Sequence, residues 1–475
     1  MIKAVIFDLD GLLIDSEIIS YKIYKEILHQ FGHSFSIEEY AKNFSGKTEV
    51  KNITNLIETY SLPWTIEMGL NNVSKIERKF ISQGIDLKSG AKELLSYLKK
   101  ILIKTILHVF WIFPIETNKI FLMNELSFTF GDSLKYFDIY LHKMRKNKYK
   151  IVFPIKDGSI PSDYVDDITV KPMSIKYFRE LISSGVIVTN AGGVSYLPKR
   201  KTQKIITTWH GGGPYKKSST DVYNDRWYRK QAQMNSNNTD YILSSCKYFS
   251  EFEARSMGYE SEKIIPAGLP RNDILFGDHE EIRNTARRKL SIPDGVKFVL
   301  FAPTFRSKSN EFSNMNIAEN YIELEPNMLV TSLERKFKSK WVCGIRLHPK
   351  LSNIDMSGMN VINCTSYPDM QELLCAADAV ISDYSSLIWD YSFTYRPIFL
   401  YAPDIEQYEK ERGFYMPSSQ WPYPIAHNNG EMKKIIEEFD EAEYIEKVKL
   451  HHVASGNFEK GNACEILIQL IEKQN

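Results

Sequence analysis

The sequence predicts an α/β protein that is built mainly from two parallel β-sheets. Short β-branched runs alternate with amphipathic helical stretches between residues 117 and 430. Alternation of this kind favours parallel sheets, because a parallel connection needs a crossover helix. The runs also fall into two consecutive sets, and many of them stop abruptly on glycine, histidine, arginine or serine. We therefore predict two Rossmann-like domains that face each other across a cleft.

The length of 475 residues is too great for one ordinary core and favours about three domains. A strand followed by amphipathic helical sequence occupies residues 1–100, and an apolar connecting segment occupies residues 101–117. The two Rossmann-like domains are predicted at residues 118–276 and 277–429. The last segment, residues 430–475, is charged and helical in period. We expect its helix to pack back across the cleft.

Charge and cysteine usage exclude several classes of protein. Sixty basic and fifty-nine acidic residues give a net charge of +1, so no overall field favours nucleic acid as a partner. The five cysteines form no CxxC pair, which suits reduced thiols in the cytosol. The amino terminus, MIKAVIFDLDG, has acidic residues where a signal peptide needs an unbroken apolar stretch. A cytoplasmic location is therefore expected.

Two segments are compatible with more than one environment. Residues 101–115, ILIKTILHVFWIFPI, are strongly apolar but shorter than the roughly 20 residues that a membrane span needs. They predict either a buried connecting element or an interfacial helix at the inner membrane surface. The run PKRKTQK, residues 198–204, predicts either a solvated loop or a contact with a polyanion or lipid headgroups.

The amino-terminal block carries the motif FDLDGLLIDSE. Asp8 and Asp10 are two residues apart at the end of a predicted strand, so both carboxylates can point at one phosphate and one magnesium ion. The motif resembles that of haloacid-dehalogenase-like phosphohydrolases of the phosphoglucomutase type, which have a helical cap. That resemblance covers residues 1–100 and implies Asp8 as nucleophile, Asp10 as general acid/base and a possible Mg²⁺ site.

The same block lacks the later motifs of that family. The family's later lysine and late acidic pair have no convincing equivalents after Lys100. FGDS, residues 130–133, resembles a fragment of the last motif but falls inside the first helix of the next block. Because the Asp8 and Asp10 carboxylates would be under-neutralised without those groups, we predict a partial, catalytically silent segment.

Five runs in the two α/β domains combine a buried strand with a polar loop at its carboxyl end. In open α/β sheets ligands bind at these ends, often where a turn receives phosphate. Their histidines and arginines indicate an anionic, nucleotide-type substrate. The runs are IITTWHGGGP (205–214), IIPAGLPRND (264–273), FVLFAPTF (298–305), VCGIRLHP (342–349) and AVISDYSSLIWD (379–390).

From Asn118 onward, over about 350 residues, these motifs resemble the CDP-glycerol glycerophosphotransferases that build teichoic-acid-type polymers. TWHGGGPYKK is similar to the family's TWHGTPLKK, and GLPRND, APTF, RLHP and SDYSSLIWDY match in order. The resemblance implies a GT-B arrangement, with an acceptor-side domain followed by a nucleotide-binding domain. It also implies transfer of glycerol phosphate from CDP-glycerol to a polymer or lipid-linked acceptor at the inner membrane surface, with no metal or cofactor.

His210 and His348 are the predicted catalytic residues. His210 follows an apolar strand and precedes three glycines, so it can take a proton from an acceptor hydroxyl near neutral pH. His348 lies two residues after Arg346 on an extended segment, so both side chains can neutralise the departing CMP. The turn that would let backbone approach a phosphate is one residue longer than the family's, and consists of Gly211, Gly212, Gly213 and Pro214.

The remaining predicted substrate contacts come from both domains. Arg271 can pair with a phosphate or with an anionic acceptor chain. Ser385 and Ser386 suit the first turn of a helix that receives phosphate oxygens, although serine is also an ordinary helix cap. The resemblance further implies substrate contacts at Pro303, Thr304 and Leu347, and contacts with glycerol or ribose hydroxyls at Asp390.

Three other functions remain open at this point. A transferase of the same fold that uses CDP-ribitol or a nucleotide sugar would carry the same motifs. A phosphohydrolase acting through residues 1–100 would release phosphate in a magnesium-dependent way. A non-catalytic membrane scaffold would fail to bind CDP compounds.

Overall fold

The computed structural model describes residues 14–84, 87–88, 90–145, 147–156, 167–213, 215–223, 225–304, 324–347, 356 and 358–473. The chain forms two compact units, Met1–Lys99 and Lys100–Asn475. The predicted first strand, and with it Asp8 and Asp10, lies outside the described residues.

The described part of the first unit is helical, as expected of a cap-like segment. Each of its first four helices begins after a side chain that accepts a hydrogen bond from the backbone N–H three residues on, which satisfies a donor that the helix leaves unpaired. These caps are Asp15, Ser36, Thr48 and Thr65. The helices are α1 (Ser16–Gln30), α2 (Ile37–Asn43), α3 (Glu49–Tyr60), α4 (Ile66–Gln83) and α5 (Ala91–Leu107), the last of which continues into the second unit.

The second unit contains a seven-stranded sheet in the order β3-β2-β1-β4-β5-β6-β7, with every pairing parallel. Its strands are β1 (Glu116–Met123), β2 (Lys150–Pro154), β3 (Ile168–Val170), β4 (Ser184–Thr189), β5 (Lys204–Thr207), β6 (Tyr241–Ser244) and β7 (Ile264–Pro266). The helices of this part are α6 (Asp132–Met144), α7 (Ile175–Ser183), α8 (Arg226–Asn238) and α9 (Ala254–Ser256). The strand order reverses between β1 and β4, where such sheets bind ligands.

A separate six-stranded parallel sheet follows, in the order β10-β9-β8-β11-β12-β13, and it reverses between β8 and β11. Its strands are β8 (Lys297–Phe301), β9 (Trp341–Ile345), β10 (Ile362–Asn363), β11 (Ala379–Ser382), β12 (Ile398–Tyr401) and β13 (Ile425–Ala426). The helices are α10 (Glu280–Lys289), α11 (Pro326–Phe337), α12 (Met370–Ala376), α13 (Leu387–Ser392), α14 (Ile405–Glu411), α15 (Asn429–Glu438), α16 (Glu441–Ser455) and α17 (Ala463–Glu472).

The carboxyl-terminal helix returns to the first sheet. Leu467 and Ile468 of α17 are fully buried in the same cluster as Ile120 of β1 and Leu134 of α6. Lys204 at the start of β5 donates to the carbonyl oxygens of Leu470 and Lys473 at 2.8 Å. Two separate Rossmann-like sheets and a returning tail helix confirm the predicted GT-B fold class.

The apolar segment at residues 101–115 is buried on one face only. It forms the end of α5 and a 3₁₀ helix, His108–Ile112. Leu107 packs into the core under the first sheet, whereas Leu102, Val109 and Ile112 are 61%, 67% and 77% exposed. The predicted buried connecting element is therefore wrong for the outer face of this segment. Among the residues that the structure describes, no helix is both long and apolar enough to cross a bilayer.

The basic run at residues 198–204 lies against this apolar segment. The indole of Trp111 donates to the carbonyl oxygen of Pro198 at 3.1 Å, and Arg200 donates to that of Phe113 at 2.7 Å. The Arg200 guanidinium is 5.6 Å from the centre of the Trp111 ring. Lys199 pairs with Asp240 at 2.5 Å, so part of the run has a structural role. Residues 101–115 and residues 198–204, which are far apart in the sequence, thus lie side by side on one surface.

Candidate active site

His210 lies just beyond the carboxyl end of β5, beside the point where the first sheet reverses. Its neighbour Trp209 adopts a left-handed backbone conformation, with φ 58°, which is unusual outside glycine and marks a constrained turn. The His210 Nδ1 atom is 3.0 Å from the carbonyl oxygen of Asn190, which follows β4. The turn and this contact together fix the position of the imidazole.

The contact with Asn190 also fixes where the His210 proton lies. A carbonyl oxygen only accepts hydrogen bonds, so Nδ1 must donate, and the neutral ring keeps a free lone pair on Nε2. Burial lowers the pKa of His210, against smaller raising effects of the Asn190 hydrogen bond and the Asp132 carboxylate. A neutral imidazole with an available Nε2 is the state that a general base requires.

Asp132 is a site residue that the sequence reasoning missed. It stands within FGDS, at the first position of α6, and has a φ of 57°. One carboxylate oxygen accepts from the Asn190 side chain at 2.7 Å, and the other lies 3.3 Å from Arg271. An acidic residue soon after the end of β1 was the available signal, but FGDS drew attention only as a fragment of a phosphohydrolase motif.

Arg271 connects the two α/β domains beneath His210. It lies in the 3₁₀ helix Pro270–Leu275 and is 8% exposed. Its NH1 group donates to the His210 carbonyl oxygen at 2.8 Å, and its NH2 group pairs with Asp390 at 2.7 Å. Together with Asp132, Asp390 holds the guanidinium in place. The predicted contact of Arg271 with a phosphate stays a prediction.

Asp390 lies in the interior of α13 rather than at an open surface. It is 1% exposed, and it accepts hydrogen bonds from Asn272 at 3.1 Å and from Gln371 at 3.2 Å in addition to its pairing with Arg271. The geometry therefore assigns Asp390 to holding Arg271, and its contact with substrate hydroxyls stays a prediction.

The glycine turn after His210 packs tightly against the second domain. A Cβ atom added at Gly211 would lie 3.3 Å from the Ser386 hydroxyl, and one at Gly212 would lie 2.8 Å from the Trp389 ring. Gly213, with φ 86°, would also bring a Cβ to 2.8 Å from Trp389. Close packing requires glycine at positions 212 and 213, and it brings Gly211 next to Ser386. Their approach to phosphate stays a prediction, and Pro214 lies outside the described residues.

Thr304 lies where the second sheet reverses. Its backbone N–H and its hydroxyl donate to Asp383, which follows β11, at 2.9 Å and 2.5 Å. Pro303 is half-buried next to it. Ser385 and Ser386 are also half-buried, at the start of α13; the Ser385 hydroxyl is 3.5 Å from the Leu387 N–H, which makes it a weak cap. The substrate contacts predicted for these four residues remain predictions.

The RLHP motif follows β9. The Arg346 guanidinium donates to the carbonyl oxygen of Tyr367 at 2.8 Å. Leu347 is 2% exposed in the core of the second sheet, and its N–H donates to Thr365 at 3.2 Å. The Leu347 side chain therefore serves the core, and the contact of this residue with substrate stays a prediction. His348 lies outside the described residues, so its predicted part in neutralising the departing CMP stays a prediction.

His210 opens into a pocket of about 360 Å³ that the sequence reasoning did not find. Trp209, Tyr223, Tyr228 and Arg412 line it together with His210. Beside it, α8 exposes the side chains Arg226, Arg229 and Lys230. The pocket assembles residues from distant parts of the chain, and a short basic and aromatic stretch at the start of α8 was the only local signal.

Comparisons with known proteins identify two families in this chain. Residues 105–473 match the family model of CDP-glycerol:poly(glycerophosphate) glycerophosphotransferases, and residues 5–106 match that of haloacid dehalogenase-like hydrolases. The chain is 29% identical over 367 residues to the teichoic acid poly(glycerol phosphate) polymerase of Staphylococcus epidermidis, which covers 72% of this chain and 49% of that protein. It thus spans about half the length of that relative.

Two further proteins are similar. The teichoic acid glycerol-phosphate transferase of Staphylococcus aureus is 28% identical over 319 residues, which are 64% of this chain and 80% of that protein. A solved structure of the wall teichoic acid polymerase TagF, a histidine variant soaked with CDPG, matches with a TM-score of 0.64 and 25% identity. That match covers 80% of this chain and 96% of the TagF chain. The chain described here therefore belongs to the CDP-glycerol:poly(glycerophosphate) glycerophosphotransferase family.

Proposed function

We propose that this protein transfers glycerol phosphate from CDP-glycerol to a hydroxyl group of a polymer or lipid-linked acceptor in teichoic-acid-type synthesis, and releases CMP. The observation that carries the proposal is the orientation of His210. Its Nδ1 is committed to Asn190, while the ring itself lines a pocket. This is the arrangement that a base acting on an acceptor hydroxyl needs.

The proposed reaction is a single displacement at phosphorus. The acceptor oxygen attacks the β-phosphorus of CDP-glycerol, its proton passes to His210 Nε2, and the bond between that phosphorus and the CMP oxygen breaks. Arg346 and His348 neutralise the charge that develops on CMP. No metal or cofactor enters this scheme. That transfer needs neither remains a prediction.

The surroundings of the His210 pocket support an anionic acceptor. A growing glycerol phosphate polymer carries one negative charge per unit, and clustered basic side chains attract such a chain. Arg412 lines the pocket, and Arg226, Arg229 and Lys230 lie exposed on the opposite face of α8 from the residues that line it. We therefore assign the pocket to the acceptor.

CMP release tests the proposed function and separates it from its nearest alternative. The full chain is incubated with CDP-glycerol or CDP-ribitol, each with and without a bacterial membrane extract. We expect acceptor-dependent CMP release from CDP-glycerol. Faster release from CDP-ribitol would favour a ribitol phosphate transferase of the same fold, and no release from either donor would contradict the proposal.

The amino-terminal block is expected to be dispensable for transfer. The match of residues 5–106 to haloacid dehalogenase-like hydrolases keeps a phosphohydrolase as the second candidate function. Because the block lacks the lysine and late acidic pair of that family, Asp8→Asn should leave CMP release unchanged. Magnesium-dependent hydrolysis of a generic phosphoester that disappears in Asp8→Asn would instead establish the phosphohydrolase and Mg²⁺ at Asp8 and Asp10.

We further propose that the protein attaches peripherally to the cytoplasmic face of the membrane through the outer face of residues 101–112. Its exposed apolar side chains suit the interfacial zone of a bilayer, and Arg200 and Lys201 beside it suit anionic headgroups.

Vesicle binding tests this attachment. Val109→Ser/Ile112→Ser changes two side chains that are 67% and 77% exposed, so folding should be unaffected. We expect binding to vesicles containing phosphatidylglycerol to weaken by a factor of about ten or more, given the apolar area lost from the interface. Leu450→Ser/Val453→Ser on α16, with exposures of 68% and 79%, is the matched control. Equal binding of both variants and the wild type would contradict the proposal.

A further inference from the structure

A cluster of two carboxylates and one imidazole lies on the first sheet away from His210. Asp138 and His142 are one turn apart on α6, and Asp167 directly precedes β3, the edge strand. The His142 Nε2 atom is 3.0 Å from an Asp167 oxygen and 3.6 Å from an Asp138 oxygen. One potential ligand atom from each residue falls within 4.8 Å of the others.

Asp138 is a buried carboxylate that lies close to a second carboxylate, Asp167. Its side chain is 0% exposed, and in the described part of the chain its oxygens have only the Asp167 carboxylate within hydrogen-bonding reach, which can share a hydrogen bond with Asp138 only if one of the two is protonated. Burial and the neighbouring Asp167 carboxylate raise the pKa of Asp138 well above its usual range. Two adjacent buried carboxylates are costly unless a proton or a cation lies between them.

The spacing fits a metal ion. In protein sites Zn²⁺ lies about 2.0–2.2 Å from imidazole nitrogen and carboxylate oxygen, so two ligands at a tetrahedral angle are about 3.3–3.6 Å apart. The two measured separations from His142, 3.0 Å and 3.6 Å, bracket this spacing. We propose that Asp138, His142 and Asp167 bind a divalent metal ion of the Zn²⁺ class.

This site would be structural and separate from the transfer reaction. Asp138 is six residues beyond Asp132, about 9 Å along the helix from the end that carries the active-site carboxylate. A metal held by α6 and by the residue before β3 would tie the edge strand to the helix. β3 has only three residues and pairs on one side with β2, so it gains stability from such a tie.

Metal titration tests the proposal independently of transferase activity. The full chain carrying Asp8→Asn/Asp10→Asn, which removes the other predicted metal ligands, is stripped with EDTA and titrated with Zn²⁺ and Co²⁺. Visible absorption of Co²⁺ and thermal unfolding report binding. We expect one equivalent to bind and Tm to rise, because a ligand that binds only the folded state stabilises it.

Substitutions at the cluster decide between a metal and a shared proton. Asp138→Asn and His142→Gln should each weaken binding at least tenfold and abolish the rise in Tm. His427→Gln is the matched control, since His427 pairs with Glu431 at 2.8 Å on an exposed surface. Should Asp138→Asn not fold, His142→Gln and the Co²⁺ spectrum still decide. Failure of the starting protein to bind one equivalent, or unchanged binding in His142→Gln, would overturn the proposal in favour of a shared proton.

Discussion

His210→Ala is expected to lower the rate of CMP release by a factor of about 10²–10⁴, the usual cost of losing a general base. Binding of CDP-glycerol should remain nearly intact. Arg271 bonds to the backbone oxygen of His210 rather than to its ring, so the substitution leaves the Arg271 ion pairs in place. Initial rates of CMP release and direct titration of the donor measure the two effects separately.

The pH dependence of transfer gives a further check on His210. Only the neutral imidazole can accept a proton, and burial lowers its pKa, so activity should fall on acidification only below about pH 6.5, the ordinary histidine value. His210→Ala should lose this acidic limb. The control is His427→Ala, an exposed histidine far along the chain, which should behave as the wild type. Full turnover in His210→Ala would show that the proton acceptor lies elsewhere.

Arg271→Met is expected to destabilise the second unit by about 3–5 kcal/mol, the typical cost of removing one partner from a buried ion pair. Arg271 is 8% exposed and pairs with Asp390, which is 1% exposed, and with Asp132. Its loss leaves carboxylates without their main compensating charge. Urea unfolding measures the change, and CMP release should be lost in parallel because the support beneath His210 is gone.

Two companion variants make this result interpretable. Arg335→Met removes a pair with Glu437 on the surface and should change stability by no more than about 1 kcal/mol. Arg271→Met/Asp390→Asn should recover part of the lost stability, because the stranded charge is removed with its partner. A loss in Arg271→Met no larger than that in Arg335→Met would contradict the role assigned to the Arg271 ion pairs.

Two strands of the described residues, β3 and β13, were not predicted from the sequence. β3 and β13 contain three and two residues and lie at the edges of their sheets. Patterns of apolar residues identify strands of about four to eight residues, so strands as short as these leave little pattern of their own. β7 is an equally short edge strand, but it falls within the predicted run IIPAGLPRND. The central strands, by contrast, are buried on both faces and form the continuous apolar runs typical of parallel sheets.

Only the candidate site residues that directly follow a strand could be predicted from the sequence. His210, Thr304 and Ser386 follow β5, β8 and β11, where a parallel sheet presents its loops. The ion pair of Arg271 with Asp132 joins residues 139 positions apart, and the sequence contains no local trace of that contact. Leu347 shows that a motif can also contain a core side chain, and its substrate contact stays a prediction.

The most direct test of the central claim is single-turnover transfer from CDP-glycerol carrying radiolabelled glycerol to a lipid-linked glycerol phosphate acceptor. With the wild type, label should enter the acceptor at the same rate as CMP appears. With His210→Ala, both rates should fall by the same factor of about 10²–10⁴. CMP release without label in the acceptor, or undiminished transfer by His210→Ala, would contradict the proposal that this protein is a glycerophosphotransferase with His210 as its base.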